Sequence, residues 1–325
     1  MKYAFILADL RTYPLSVVCW VLGVTQSGFH AWKMRKPSRR EQERDRLGAE
    51  IRKVFDAQRG RYGAPRIYRV LCEQFGYTGS LNRIQRLMRA MELRAKAGKK
   101  YKATTDSGHT LPIAPNLLGQ DFSCDTSATS TSHAKAPDQV WLSDITYLWT
   151  REGWLYVCAV LDLFTRRIVG WAIAEHITRQ LVLDALQMAD TVRKPAPGLI
   201  FHSDRGSQYA SQDVHDWLAA RAMRQSMSGT GNCYDNAPME SYWHSLKVEE
   251  THGQDFATRA EATHCVFAYV EGWYNTTRIH SSLGYKSPAQ FERDWNAKSI
   301  NAANDDPAAT PGNPSQAARL KQRAA

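Results

Sequence analysis

An α/β architecture, a mixed sheet flanked by helices and preceded by an all-α region, is the fold class this sequence predicts. Three observations predict it. Three apolar runs of strand length follow one another at 139–148, 154–162 and 166–173, with Gly153 at the first turn. After them helix-length and strand-length segments alternate: helix 178–191, strand 198–203, helix 211–220, strand 222–227 and helix 238–250. Before residue 103 the apolar spacing is helical throughout.

The front of the chain divides in two. Residues 12–34 read as a helix-turn-helix: a short apolar helix from Leu15 to Leu22, Gly23 as the turn, and a second helix, Ser27 to Lys33, with Thr25 or Ser27 as cap. Units of this spacing read DNA, which makes Ser27, His30 and Lys33 candidate contacts. Pro37 and the charged run Arg39 to Arg46 close this unit, at 1–36. A second helical DNA-binding domain is expected over 37–102. Its first helix is Arg46 to Gln58, with Leu47, Ile51, Val54 and Phe55 on one face. Pro65 suits the first turn of the next helix, which runs to Phe75. Ser80 precedes a third, Leu81 to Leu93, whose polar face carries Arg83 and Arg86; with Arg66 these are the DNA contacts expected here. Residues 103–138, rich in Thr, Ser, Ala and Pro, read as a linker with a short ordered patch at 116–122. The sheet and a C-terminal helical extension fill 139–296, and 297–325 reads as a disordered tail.

Charge supports that division. Residues 1–102 carry 23 Lys/Arg against 8 Asp/Glu, a net of +15, while the remainder is −5. A basic front joined to an acidic back suits a polyanion-binding module feeding a cation-dependent site. The six cysteines are scattered without a Cys-x-x-Cys pair, which argues against a zinc site or disulfide framework and fits a reducing cytoplasm. The apolar stretch Leu15 to Val24 is too short to span a bilayer, and no membrane role is expected.

Three acids carry the chemistry. Asp144 lies inside the first strand, Asp204 ends another just before a Gly turn, and Glu240 opens the helix after the loop Ser228 to Pro238; 35 residues separate the last two. Converging carboxylates repel one another unless a metal neutralises them. Mg²⁺, or Mn²⁺, prefers such hard oxygen ligands. Two such ions can clamp the attacking and leaving oxygens of a phosphodiester. Glu240, His244 and Lys247 fall at helical spacing on one face, so a carboxylate for metal and a cation for phosphate share one stripe beside a DNA strand. His202, beside Asp204, is either a phosphate or supporting contact or a hydrogen-bonded structural histidine. Arg205 and Arg278 complete the candidate DNA contacts. No Ser-His-Asp pattern is present, and none is needed if water or a DNA 3′-hydroxyl attacks.

The motifs Asp144-Ile-Thr-Tyr147, Val160-Leu-Asp-Leu-Phe-Thr-Arg166, Ile168-Val-Gly-Trp171, His202-Ser-Asp-Arg-Gly-Ser-Gln-Tyr209 and Asn236-Ala-Pro-Met-Glu-Ser-Tyr-Trp243 resemble the integrase core of DDE transposases. Tyr274 to Pro288 resembles that group's carboxy-terminal motif. The resemblance is to the second-frame (OrfB) transposases of IS-three-type bacterial insertion sequences, over roughly residues 10–295. It implies a ribonuclease H-like fold and two Mg²⁺ held by Asp144, Asp204 and Glu240. It also implies cleavage and strand transfer at terminal inverted repeats, then joining to target DNA. Partners implied are a second copy of the chain on DNA, at least a dimer, and an upstream-frame (OrfA) product or fusion. The expected location is cytoplasmic, at the nucleoid. Two other readings remain: a nuclease of the same fold without strand transfer, and a DNA-binding regulator with an inactive core.

Overall fold

The computed structural model describes residues 2–10, 12–97, 111–127, 130–229 and 233–305. The chain divides into two compact units, Met1–Ala95 and Lys96–Ala325.

The first unit is all helix. α1 (Lys2–Asp9), α2 (Leu15–Val21) and α3 (Gln26–Met34) enclose a small core of Ile6, Val18, Cys19 and Phe29. Gly23 makes the expected turn with φ of 60°. Thr25 caps α3, accepting from the Gly28 amide at 3.0 Å. α1 has no counterpart in the sequence reading; it lacks a cap signal. α4 (Arg39–Ala57), α5 (Ala64–Phe75) and α6 (Leu81–Ala90) follow. The charged run at Arg39, read as an end, begins α4. Ser38 and Glu41 form a reciprocal capping box there, so the helix starts seven residues earlier than its apolar spacing shows. Pro65 stands in the first turn of α5, and Ser80 caps α6 through the Arg83 amide. Apolar residues of the three helices, among them Ile51, Ile67, Leu71 and Ile84, are fully buried.

The second unit holds a five-stranded mixed sheet in the order β3-β2-β1-β4-β5. β1 (Val140–Thr150), β2 (Gly153–Asp162) and β3 (Ile168–Ala174) pair antiparallel, whereas β4 (Ile200–Ser203) and β5 (Arg224–Met227) run parallel to β1. Alternate strand residues point to opposite faces. Trp141, Cys158, Val160 and Phe201 pack with α7 (Arg179–Arg193) and α8 (Gln212–Ala219) in the main core. Leu155 faces the other way, onto Phe256, just before α10 (Arg259–Tyr269), and Ala262 within it. The approach of α7 to β3 is close: a Cβ on Gly170 would lie 2.3 Å from the Ala185 carbonyl oxygen and 2.7 Å from the Ala189 Cβ.

Two expectations change. Part of the supposed linker is built into this unit: Asn116 folds back to accept from the Leu118 and Gly119 amides, Leu118 is buried, and the Leu117 amide donates to Ser226 Oγ at 2.9 Å. That covers the β5 edge, which would otherwise present unpaired backbone. The supposed tail begins as helix, since α11 (Pro288–Asp305) runs past residue 297. Its anchor is Glu292, which accepts from Arg167 at 2.7 Å and from Arg193. Residues 103–110 of the linker and 306–325 of the tail lie outside the described residues. No described helix is long and apolar enough to cross a membrane.

Candidate metal and nucleic-acid site

The sheet register brings two of the acids level. Leu142 of β1 is paired with His202 of β4, and Asp144 and Asp204 each follow two residues later. β4 ends at Ser203 while β1 runs on, so both carboxylates stand where the parallel pair opens. Asp144 Oδ1 accepts from the Ile145 amide at 2.8 Å, and Oδ2 from the Trp243 indole at 3.1 Å. Asp204 Oδ1 accepts from the Gly206 amide at 3.0 Å. A Cβ on Gly206 would come within 3.1 Å of that oxygen, so glycine lets the turn wrap the carboxylate.

Burial, then repulsion from Asp204, pushes Asp144 up to about 8, against the lowering effect of its two hydrogen bonds. Glu240 acts on Asp144 in the same direction but more weakly. It sits exposed on the first turn of α9 (Ala237–Leu246), its own pKa raised by partial burial. Among the described residues no three His, Cys, Asp or Glu side chains are grouped closely enough to hold one ion. The structure thus couples Asp144 to Asp204 and leaves Glu240 beside the pair on the helix face. An all-oxygen donor set with a strained acid pair has the chemistry a hard divalent cation satisfies.

On α9, His244 is exposed. Lys247, half-buried just past the helix end, carries its ammonium 5.2 Å from the Tyr147 ring centre. Burial lowers it to about 8, while Tyr147 and Asp144 oppose the shift. Cys158, behind the acids, is no nucleophile: burial pushes its thiol up to about 12.

Two expected DNA contacts are corrected. His202 is wholly buried, with Nδ1 2.8 Å from Ser226 Oγ and Nε2 2.8 Å from the Asp235 carbonyl; it is a structural histidine joining β4 to the loop before α9. Arg278 is buried too, its guanidinium hydrogen-bonded to both oxygens of Glu249 at 2.8–3.1 Å and to Ser245 at 2.9 Å. A side chain so enclosed has no face for phosphate. Arg205 is half-buried and donates to the Ser228 carbonyl. In the first unit Ser27, His30 and Lys33 are all exposed on α3. Arg86 is exposed on α6, while Arg83 and Arg66 are half-buried, the latter 5.5 Å from the Tyr62 ring centre.

Three residues escaped the sequence reading. Asp235 gathers the loop before α9, accepting from Gln120 at 2.7 Å, Asn116 at 3.1 Å and the Gly229 amide. Asn236 and Trp243 reach β1. Their signal was position alone: polar residues two and three before the proline of a first helical turn, and an indole three residues after the acid.

Residues 134–233 and 240–294 match models of the integrase core domain, and residues 42–101 match an HTH-like domain. With the mixed sheet above, this defines an integrase-core protein with a helical DNA-binding-type front. Transposase InsF for insertion sequence IS3A of Escherichia coli is 42% identical over 294 residues, 90% of this chain and 98% of that protein. The insertion element IS600 uncharacterized 31 kDa protein of Shigella sonnei is 42% identical over 86% of this chain and 98% of its own length. The chain belongs to the transposase family of IS3-type insertion sequences. Among solved structures, the HTLV-2 integrase catalytic core domain in complex with magnesium covers 48% of this chain and 97% of its own at 12% identity and a TM-score of 0.37, too loose a likeness to add to the argument.

Proposed function

We propose that this transposase cuts the ends of its insertion sequence and joins the freed 3′-hydroxyls to target DNA by metal-assisted phosphoryl transfer. The observation that carries this reading is the Asp144–Asp204 pair, half-buried where β1 and β4 diverge, where desolvation and the neighbouring Asp204 charge together hold Asp144 near 8. Asp144, Asp204 and Glu240 would hold Mg²⁺, or Mn²⁺, in a two-ion arrangement. When bound, such ions supply Lewis acidity to the scissile phosphate and to the attacking hydroxyl. The chain's own part is orientation. β1 and β4 fix two acids on or just past rigid strands, and α9 brings the third, with His244 on the same stripe and the Lys247 cation just past the helix end. Lys247, its ammonium held near the Tyr147 ring, offers a cation to a phosphate beside the acids.

The basic first unit, with Ser27, His30 and Lys33 on α3 and Arg66, Arg83 and Arg86 on α5 and α6, is the proposed reader of the terminal repeats. Two ends must meet, so an assembly of at least two chains on DNA is part of the proposal, with an upstream-frame product as a further partner.

Asp144→Asn tests the site. It is expected to abolish Mg²⁺-dependent cleavage of a terminal-repeat substrate and joining to a plasmid, while leaving binding of that substrate unchanged. Cleavage at the parent rate would overturn the assignment. Cleavage without joining by the parent protein would favour a nuclease. Removing residues 1–95 is expected to weaken binding and flatten its dependence on salt; the same slope with and without them would remove the DNA role from that unit.

A further inference from the structure

α9 is joined to β1 at two adjacent strand residues, Ser143 and Asp144. At the first the Asn236 side-chain amide donates to the Ser143 carbonyl at 3.0 Å. Asn236 stands at the N-cap of α9 yet makes no capping bond; its amide is spent on the strand instead. At the second the Trp243 indole N–H reaches Asp144 Oδ2 at 3.1 Å. Trp243 is itself buried, 6% exposed, and its ring lies 4.7 Å from that of Tyr242, so the indole has little freedom to turn away. Glu240 and Trp243 are three residues apart and lie on one side of α9. One helix therefore carries an acid of the site and also grips another acid that belongs to the strand.

We propose that Trp243 is a positioning residue: its indole N–H fixes the side chain of Asp144 in the orientation from which a divalent cation is held with Asp204, coupling the placement of α9 to metal affinity. The proposal rests on the reading of Asp144 and Asp204 as metal-holding acids. The physical reason is the one that governs other metal sites. A ligand free to rotate must lose that freedom when the ion arrives, and a donor on its second oxygen removes the cost beforehand. Indole is suited to this place because it donates and cannot accept, so it competes with no cation for the carboxylate. Phenylalanine keeps an aromatic ring in the pocket but removes the donor together with part of the indole's volume, and the melting temperatures report the cost of that lost packing.

The experiment is a Mn²⁺ titration of the full-length protein, followed by the spin resonance of free Mn²⁺, without DNA. Trp243→Phe is compared with the parent and with Asp144→Asn, and melting temperatures are taken without metal. Trp243→Phe is expected to bind Mn²⁺ about tenfold more weakly, at a temperature where melting shows it fully folded. Asp144→Asn is expected to lose the site. If Asp144→Asn loses the site and Trp243→Phe binds like the parent, the positioning role is overturned and the metal site stands. If Asp144→Asn also binds like the parent, the site reading itself falls. A purely structural tryptophan would lower the melting temperature and leave affinity alone.

Should Trp243→Phe not fold, the indole N–H resonances of the parent and of Asp144→Asn decide. One hydrogen-bonded indole resonance is expected to move both on adding Mg²⁺ to the parent and on the Asp144 substitution. If no indole resonance responds to either, the proposal is overturned.

Discussion

Replacing Arg278 by alanine should unfold the second unit at markedly lower denaturant rather than impair DNA contact. The guanidinium donates three hydrogen bonds to Glu249, at 2.8, 2.9 and 3.1 Å, and a fourth to Ser245 at 2.9 Å. Glu249 is 5% exposed and also accepts from the Tyr269 hydroxyl at 2.8 Å. Burial alone would lower the Arg278 pKa; the hydrogen bonds and charge of Glu249 outweigh it and raise the pKa. Truncation leaves a buried carboxylate without its guanidinium, which costs about 3–5 kcal/mol. Arg278→Lys keeps the charge and loses the fork, costing about 1.5–3 kcal/mol, the worth of hydrogen bonds to charged groups. Arg278→Met with Glu249→Leu removes both charges and should recover most of the loss. In urea unfolding followed by tryptophan fluorescence, a slope of about 3 kcal/mol per molar places the Arg278→Ala midpoint about 1–1.7 M below the parent. An unchanged midpoint together with weaker DNA binding would refute the reasoning and return Arg278 to the DNA surface.

Acid should loosen the anchor of α11. Burial acts to raise the Glu292 pKa, but Arg193 and Arg167 more than offset it and hold it low. A depressed carboxylate contributes stability that is fully present above its unfolded value, about 4.3, and is lost as pH falls through the folded value. Glu292→Gln should therefore lower the melting temperature at pH 7 and narrow its gap to the parent in acid; parallel curves from pH 7 to 3 would count against the pairing. Gly170→Ala should destabilise through overpacking, by about 1–3 kcal/mol or more, because the added methyl meets the backbone of α7. A melting temperature equal to the parent's would show that α7 can step aside at no cost.

The strands were legible because their periodicity and turn residues agree, and Asp144 and Asp204 stood out because a carboxylate inside or just after an apolar strand costs desolvation. What the sequence hid was partnership. His202 and Arg278 stand in polar motifs that look DNA-facing, yet each is spent on a buried partner: Ser226 and the Asp235 carbonyl for one, Glu249 for the other. Nothing local to Arg278 announces a glutamate 29 residues earlier. The start of α4 was concealed differently. Ser38 and Glu41 form a capping box, but the charged run between them and the first apolar residue, Leu47, reads as solvent-exposed chain. Asn116 to Phe122 held enough signal for an ordered patch, whereas its seat on the β5 edge depends on Ser226, more than a hundred residues on.

The helix read as continuous over 238–250 shows how such concealment serves the site. It is α-helical only to Leu246; Lys247–Thr251 form a π turn, with the His252 amide reaching back five residues to the Lys247 carbonyl. A second π turn, Val270–Tyr274, ends α10. Sequence periodicity of 3.6 cannot register either widening. Both border the Glu249–Arg278 pair: Glu249 lies within the first, and Tyr274 of the second places its ring 5.6 Å from the Arg278 guanidinium. Ser245 and Glu249, four residues apart, meet that arginine together, and Lys247 between them turns the other way, onto Tyr147. The buried ion pair thus bolts down one side of the α9 segment, and the other side carries Glu240, His244 and Lys247 in one stripe toward β1. On the proposed reading, a site on so short a helix needs that bolt, since a shift of even about 1 Å can cost a hundredfold in rate.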